Sequence, residues 1–368
     1  MSPTLVILLV AVLVAASCAL VGSFLVLRKM ALLGDAISHA VLPGIVIAFL
    51  ISGSRSPVPM LIGAGALGVL TVLLVELAHR TRLLKADASI GVVFPALFAL
   101  GVLLVSRLAG QVDLDLDCVL YGEIAYAPWD VLQLGDVNLG PKALWTNGAT
   151  LLLNLALVIF LFKELKLSTF DSALSAALGF SPVVLHYALM TAVSITVVGA
   201  FESVGAILVV AMLIVPPATA YLLTDRLEMM LALATGFGAL SAILGYAGAR
   251  WLDASIAGAM ATAAGLLFGL VFIVSPQHGL LAKRLRRRRV LESVAGRMVL
   301  LHLGRDSEST SLDLLGQRFS WRPRRLGRLV DDLEHRGWVS RDGAKVQLTA
   351  AGEQEIERSG HLPLRHGV

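Results

Sequence analysis

The stretch ASIAGAMATAAGLLFGLVFIVSPQHGLLAKRLRRRR, residues 254–289, decides the fold class of this chain. Residues 254–282 contain no Asp, Glu, Lys or Arg, and six cations follow within the next seven residues. About 20 apolar residues are enough to cross a hydrocarbon core about 30 Å thick. A basic cluster directly after such a run marks the cytoplasmic side of a membrane. The stretch therefore predicts a transmembrane helix with a cytoplasmic carboxyl end.

Eight earlier runs of at least 19 residues also lack charged side chains. They are residues 1–27, 36–54, 56–75, 88–106, 143–162, 172–201, 203–224 and 229–249. Backbone groups left unsatisfied in lipid cost several kcal/mol each, so runs of this length should be helices. The chain is 57% hydrophobic and 15% charged, against about 25% charge in soluble domains. Its two cysteines exclude a disulfide scaffold. These features predict an all-α polytopic membrane protein.

One run is too short for a full crossing, because Pro216-Pro217 interrupts it after residues 204–215. A segment of that length fits a half-helix packed inside the protein. We therefore expect about eight full helices and one short helix. With the carboxyl end inside, the cytoplasmic connections carry eight Lys or Arg residues and the opposite side carries four. This bias agrees with the positive-inside rule.

The charges divide the chain into unlike parts. Residues 1–281 have a net charge of −3, and residues 282–368 have a net charge of +7. We predict a transmembrane domain at 1–282, a basic juxtamembrane linker at 283–289 and a cytoplasmic domain at 290–368. Helices are predicted in this last domain at 291–303, 312–319, 322–336 and 350–358, with a hairpin at 338–349 that turns at Asp-Gly. This order predicts a winged helix-turn-helix.

Asp35 and His39 stand four residues apart in GDAISHAVLPG, residues 34–44. A helix places both on one face, about one turn apart. A carboxylate at that depth costs at least roughly 2.5–3.5 kcal/mol, which a bound divalent cation would offset. Carboxylate and imidazole ligands suit Mn, Zn or Fe(II) better than Mg or Ca, and Pro43-Gly44 should free carbonyl groups nearby. A helix-end pair bonded within the bundle is the alternative.

Two weaker candidates lie on the predicted outer side. The connection from Arg107 to Lys142 is acidic, and its carboxylates are Asp113, Asp115, Asp117, Glu123, Asp130 and Asp136. An acidic vestibule would raise the local concentration of a cation, although a solvated loop has the same composition. Glu202 sits where two helices meet and is a candidate outer gate or a solvated turn. The sequence contains no Walker loop, catalytic triad pattern or HExxH motif, so we predict a protein that is not itself an enzyme.

Four segments resemble the integral-membrane permeases of ABC importers for manganese, zinc and iron. They are residues 30–44, GAILVVAMLIVPPATA within 199–226, KELKLSTFD at the start of 163–179, and SPQHG at 275–279. The likeness covers about residues 5–282. It implies that Asp35 and His39 bind the transported ion, with no permanently bound cofactor. It also implies the plasma, or inner, membrane of a prokaryote, two cytoplasmic ABC ATPases, an external metal-binding protein, and a second permease that is an identical copy or a paralogue.

The same resemblance gives residues 216–226 a role in docking on the ATPase. The two prolines should end the short helix, and residues 218–223 should begin another. Such a helix–turn–helix could convert ATPase closure into helix movement. The residues assigned to this coupling are Pro216, Pro217, Ala218, Thr219, Ala220, Tyr221, Leu222, Asp225 and Arg226.

The predicted winged-helix tail resembles the amino-terminal domain of diphtheria-toxin-repressor-type regulators. Cations crowd the start of its recognition helix, which favours nucleic acid or another polyanion. Three acidic residues follow in the same helix, and the dimerising segment of those regulators is missing. The cations are Arg322, Arg324, Arg325 and Arg328, and the acidic residues are Asp331, Asp332 and Glu334. We therefore expect a regulatory or protein-contact module, with nucleic acid as the less favoured partner.

Three functions fit the sequence. The preferred one is the permease subunit of an ATP-driven importer of a divalent transition metal. A secondary metal transporter would work without an ATPase, and a membrane-tethered regulator would act through DNA binding by the tail. Transport by the chain alone, or DNA binding by residues 283–368, would separate these alternatives.

Overall fold

The chain divides into two units, Met1–Gly279 and Leu280–Val368. The structure is a computed structural model. It describes residues 2–52, 57–81, 83–108, 124–134, 137–276, 279, 282, 294–304, 310–321, 323–343 and 345–360. The acidic series Asp113 to Glu123, Asp136 and the basic linker at 283–289 lie outside the described residues.

The first unit is a bundle of helices. They are α1 Pro3–Leu27, α2 Leu32–Ser52, α3 Pro57–Arg80, α4 Ala86–Leu108, α5 Lys142–Phe160, α6 Phe162–Phe170, α7 Ser172–Ala177, α8 Pro182–Val204, α9 Ala206–Tyr221, α10 Leu227–Leu252 and α11 Ile256–Val274. Eight helices among the described residues are long and apolar enough to cross a membrane, namely all of these except α6, α7 and α9. The prediction of a polytopic helical membrane protein is therefore confirmed.

Helix α1 forms the centre of the bundle. Two thirds of its most apolar stretch is buried, against 17% for α4 and for α11. It packs against α5, α8, α9 and α10. Asn154 of α5 adds polar contacts, because its Nδ2 donates to Ser17 Oγ of α1 and Thr196 Oγ1 of α8, both at 2.7 Å. Hydrogen bonds of this kind hold helices together where lipid supplies no partner.

Glycines allow close contact where the helices cross. A Cβ on Gly22 of α1 would overlap the carbonyl group of Leu213 in α9, and a Cβ on Gly34 of α2 would overlap the Leu213 side chain. A Cβ on Gly44 of α2 would likewise overlap the carbonyl oxygen of Gly63 in α3. Small residues let helix backbones approach closely in membranes. Helix α9 is thereby held against both α1 and α2.

Two helix boundaries differ from the sequence prediction. The run at 172–201 is not one helix, because α7 ends near Gly179, which has φ +88°, and α8 starts at Pro182. Pro216 and Pro217 do not end the short helix, since α9 continues to Tyr221 with both prolines inside it. Packed neighbours tolerate proline in membrane helices by satisfying the freed backbone groups. The predicted second helix at 218–223 is therefore wrong.

A β-hairpin joins α4 to α5, and the sequence analysis did not predict it. Strand β1 (Val131–Leu134) pairs antiparallel with β2 (Val137–Pro141), after a short 3₁₀ turn at Ile124–Tyr126. Lys142 begins α5 directly after β2. The hairpin therefore fixes the entry to α5.

The second unit combines short helices with a small sheet. In chain order its elements are α12 at 294–304, β3 Thr310–Ser311, α13 Leu312–Phe319, α14 Pro323–His335, β4 Val339–Asp342, β5 Lys345–Leu348 and α15 Ala350–Gly360. The antiparallel sheet has the order β3-β5-β4. Its core contains Leu315, Leu326, Val330 and Val346, which are all buried. This unit therefore has its own hydrophobic core.

Candidate metal site and partner surfaces

Asp35 and His39 lie together on one face of α2. The His39 Nε2 atom is 3.5 Å from Asp35 Oδ1, as the four-residue spacing predicts for a helix. Asp35 lies in the first turn of α2, where the helix dipole favours a negative charge. A carboxylate oxygen and an imidazole nitrogen at this separation can share one transition-metal ion.

The pair is open on one side and packed on the other. Asp35 and His39 have side chains that are 42% and 32% exposed on the isolated chain. The His39 ring lies 5.4 Å from the Phe94 ring and 6.0 Å from the Phe98 ring of α4, measured between centroids. These rings pack against the imidazole, and the remaining surface of the pair is open on the isolated chain.

Pro43 lies one turn beyond His39 inside α2. Proline has no backbone N–H, so the His39 carbonyl loses the donor that an ordinary residue at 43 would supply. The helix nevertheless continues to Ser52, and the predicted loosening at Pro43-Gly44 does not interrupt it. Contact between Gly44 and Gly63 ties this part of α2 to α3.

The described part of the chain supplies two metal-ligand side chains at this place. It contains no group of three or more His, Cys, Asp and Glu residues that could hold an ion. Within the described residues, the groups left to complete a coordination shell here are backbone carbonyls.

Glu202 forms an ion pair with Lys142. Lys142 begins α5 and Glu202 lies in the last turn of α8, so the pair joins these two helices at the end that also carries the hairpin. Beside it, Asn147 Nδ2 of α5 donates to Ser203 Oγ at 2.9 Å. The structure thus places Glu202 in an ion pair that links α5 and α8, with its side chain half exposed.

The predicted coupling segment is partly enclosed. Pro216, Pro217, Thr219 and Ala220 are buried, whereas Tyr221, Asp225 and Arg226 are exposed and Ala218 is intermediate. Leu222 caps α9, and its carbonyl accepts a hydrogen bond from Ser275 Oγ at the end of α11. Direct contact with a partner is therefore available to the exposed residues after Ala220, and the buried ones instead fix α9.

An exposed apolar surface lies at the same end of the bundle, on α7 and its flanks. We call Phe170, Leu174, Leu178 and Phe180 the α7 surface, and these side chains are between 41% and 61% exposed. Asp171 caps α7 by accepting from Leu174 N at 2.9 Å, and Ser181 caps α8. The short helix is thus fixed at both ends while its apolar side chains point outward.

Arg28 connects three helices at this end. It caps α1 and donates to Ser168 Oγ at 3.0 Å and Thr169 Oγ1 at 3.2 Å, both in α6. Its Nη1 lies 3.2 Å from His186 Nδ1 of α8, and His186 Nε2 lies 3.8 Å from Glu76 Oε2 of α3. Burial lowers the pKa of the Arg28 guanidinium, which still stays charged because its ordinary pKa is so high. We call these five residues the Arg28 cluster.

Residues 3–275 match the family model described as the ABC 3 transport family. The chain belongs to the ABC 3 transport family. The manganese transport system membrane protein MntD of Bacillus subtilis is 50% identical over 285 residues, which are 77% of this chain and 96% of that relative.

Two further matches of this ABC 3 protein bear on its architecture. The zinc transport system membrane protein TroD of Treponema pallidum is 46% identical over 95% of this chain and 96% of its own length. The solved structure of PsaBC from Streptococcus pneumoniae in complex with Fab is 31% identical, with a TM-score of 0.64 over 77% of this chain and 96% of that one. The match to TroD extends into the carboxyl-terminal unit, whereas the match to MntD spans 285 residues.

Sequence reasoning missed several polar residues of this ABC 3 protein. The sequence does not pair Arg28 with His186, nor Lys142 with Glu202. One signal was visible, because Ser168-Thr169 in KELKLSTFD are hydroxyl residues close to a helix end that is predicted to be cytoplasmic. Their partner Arg28 lies about 140 residues earlier, and no sequence pattern links it to them.

Proposed function

We propose that this chain is the membrane-spanning permease subunit of an ATP-driven importer of a divalent transition-metal ion, which is Mn, Zn or Fe. The observation that carries the proposal is the Asp35–His39 pair, a carboxylate and an imidazole 3.5 Å apart on a membrane helix. Family membership supports it, as do relatives whose names record manganese and zinc transport. The ion is cargo, and no cofactor is permanently bound.

The exposure of the pair supports a second permease, either an identical copy or a paralogue. A carboxylate facing lipid costs at least roughly 2.5–3.5 kcal/mol on insertion scales. Asp35 and His39 are partly exposed on the isolated chain, so a neighbour that covers this side of α2 would remove the cost. That neighbour could also complete the coordination shell. The translocation path would then run between the two permeases.

The other partners follow from the family and from the exposed surfaces. ATP hydrolysis requires separate cytoplasmic ABC ATPase subunits, since the sequence has no Walker loop. The α7 surface, Tyr221, Asp225 and Arg226 would form the docking face, and the buried residues from Pro216 to Ala220 would transmit its movement. An external metal-binding protein would deliver the ion near the Lys142–Glu202 pair, which we propose as the outer gate. The carboxyl terminus lies in the cytoplasm in this arrangement.

Uptake of radioactive Mn²⁺ into vesicles tests the metal site. Asp35→Ala or His39→Ala should abolish uptake while the complex still assembles and hydrolyses ATP. Ser38→Ala is the matched control, because Ser38 lies between them, is buried and bonds to the Gly34 carbonyl on its own helix. Normal uptake by either ligand variant would refute the assignment. Uptake by the permease without ATPase subunits would favour a secondary transporter instead.

The carboxyl-terminal unit is proposed to be a winged helix-turn-helix that regulates the importer or contacts another protein. Helices α13 and α14 followed by the β4–β5 hairpin support this fold. Arg324 and Arg328 lie on α14, but Arg341 of the hairpin pairs with Asp331 at 3.3 Å and Arg336 pairs with Asp332 at 2.8 Å. These pairs remove cations that a nucleic-acid surface would use. Tight sequence-selective DNA binding by the full chain in detergent at physiological salt would favour the tethered regulator.

A further inference from the structure

The Arg28 cluster contains more polar contacts than a topology anchor needs. An arginine that only marks the cytoplasmic side can extend into water or between lipid head groups. Arg28 is instead half buried and contacts Ser168, Thr169 and His186 through three different nitrogens. A planar guanidinium has its donors in fixed directions, so three simultaneous contacts define the positions of their acceptors. Arg28 therefore fixes α6 and α8 relative to the end of α1.

The chemistry of Arg28 also sets the state of His186. A guanidinium donates hydrogen bonds and never accepts them, so His186 Nδ1 must be the acceptor. The proton of the neutral ring is then on Nε2, which lies 3.8 Å from Glu76 Oε2. Glu76 also accepts from Arg80 Nε at 3.0 Å. At 3.8 Å the contact between His186 and Glu76 is longer than a hydrogen bond, so the hydrogen-bonded part of the cluster joins α1, α6 and α8, and Glu76 of α3 lies beside it.

The helices in this cluster include those next to the metal pair. Helix α3 contacts α2 at Gly63 and Gly44, and Gly44 lies five residues beyond His39. Helix α1 contacts α9 through Gly22 and Leu213, and Leu213 also contacts Gly34 beside Asp35. On the other side, α6 leads directly into α7 and its exposed apolar surface. The cluster is therefore a polar junction that joins α6, which leads to that surface, to α3 and α8, which both contact α2.

We propose that Arg28 is a positioning residue that couples movement of α6 and α7 to the helices around Asp35 and His39. The inference rests on the proposed permease function. When a docked ATPase displaces α6, the fixed guanidinium carries α1 and α8 with it, and α8 transmits the displacement to α3 and α2, against which it packs. The three contacts of Arg28 transmit such a displacement because breaking them would leave its half-buried guanidinium without acceptors.

The deciding measurement is the number of Mn²⁺ ions transported per ATP hydrolysed. It uses the permease reconstituted in proteoliposomes with its ATPase and its external binding protein. Arg28→Gln should lower this ratio about tenfold, within the usual range of coupling between sites, and leave hydrolysis within about twofold. Lys166→Gln is the matched control, because Lys166 lies on the same α6 and pairs with Glu228 at 2.8 Å, but that pair is about half exposed. The control should keep the wild-type ratio.

A second variant guards against misfolding of the first. Ser168→Ala with Thr169→Val removes two acceptors of Arg28 from the surface of α6 and should lower the ratio in the same direction. A wild-type ratio in Arg28→Gln overturns the inference. If that variant does not assemble, a wild-type ratio in the double variant overturns it instead.

Failure of the proposed function would be seen separately. If the wild-type complex moves none of the three metals, the permease assignment fails, and the junction is tested by hydrogen exchange on the purified permease. Arg28→Gln should then speed exchange in α6 and in the first turns of α8, and Lys166→Gln should not affect α8. Unchanged exchange in Arg28→Gln overturns the inference on this readout.

Discussion

Single residues decide where the helices of this permease meet. Gly245 of α10 faces α11, and a Cβ at this position would overlap the backbone of Met260. Gly248, one turn later on the same helix, has no atom within 4 Å of the equivalent position. The two glycines are chemically identical, so only their surroundings distinguish them.

We therefore expect opposite effects from the same substitution at these two positions. Gly245→Ala should destabilise the protein by about 1–3 kcal/mol, the usual cost of overpacking. Gly248→Ala should be neutral or stabilise by up to about 1 kcal/mol through helix propensity. Thermal unfolding of the purified permease in detergent measures both. Equal melting temperatures would show that α10 and α11 are not in close contact.

The Lys142–Glu202 pair can be tested by exchanging its charges. Glu202→Lys places two cations side by side and should slow metal uptake if the pair closes the outer end. The double variant Lys142→Glu with Glu202→Lys should restore uptake, because attraction between α5 and α8 returns. Arg250→Glu, in the last turn of α10, is a charge-reversed control that should keep normal uptake. A double variant no better than Glu202→Lys would exclude the gate.

At the scale of elements, the sequence predicts membrane helices well and their ends less well. Charge-free runs identify the spans because lipid excludes charge, which is a local property of the sequence. The break before Pro182 was missed because Gly179 and Ser181 are uncharged, although they end one helix and cap the next. Pro216 and Pro217 gave the opposite error, because they predicted a helix end where the helix in fact continues. Tight packing around α9 keeps it helical, and no local signal reports that packing.

The α7 surface yields a prediction about the ATPase. Leu174→Asp with Leu178→Asp should reduce co-purification of the ATPase at least about tenfold, because a contact hot spot is worth about 2 kcal/mol or more. Leu83→Asp is the control, since Leu83 is an exposed leucine just beyond α3, at the end that carries Glu76 and Arg80. An ATPase that still binds both variants equally would rule out this surface.

Co-purification of the ATPase also tests the predicted coupling segment. Charge reversal at Asp225 and Arg226 should also weaken co-purification, because both side chains are exposed. If the complex survives with unchanged hydrolysis, residues after α9 have no docking role and the α7 surface alone remains.

For the whole molecule, the sequence predicts what is local and misses what is distant. The Asp35–His39 pair was found because four residues of helix bring the two side chains together. The Arg28 cluster was not found, because 140 to 158 residues separate Arg28 from its partners in α6 and α8. Those contacts depend on how α1, α6 and α8 pack in the bundle. Spacing along the chain carries no record of that packing.

The two units lead to a prediction about the tail. Deleting residues 290–368, with the basic linker kept, should leave Mn²⁺ uptake intact and change its regulation or the stability of the complex. MntD supports this expectation, since 96% of its length is matched by 285 residues of this chain. Uptake at fixed expression, measured over a range of Mn²⁺ concentrations, checks it. Complete loss of uptake by a well-folded truncated protein would contradict an accessory role.

The junction between α8 and α9 restricts where the chain can accept inserted residues. Gly205 alone separates the two helices, has φ +79°, and lies between the buried residues Val204 and Ala206. An inserted residue there would rotate α9 by about 100° and turn Leu213 away from Gly22 and Gly34. The connection at Asp253, Ala254 and Ser255 is exposed and has room for extra residues. We therefore expect the protein to accept inserted residues between α10 and α11 and to lose its packing around α9 when residues are inserted at Gly205.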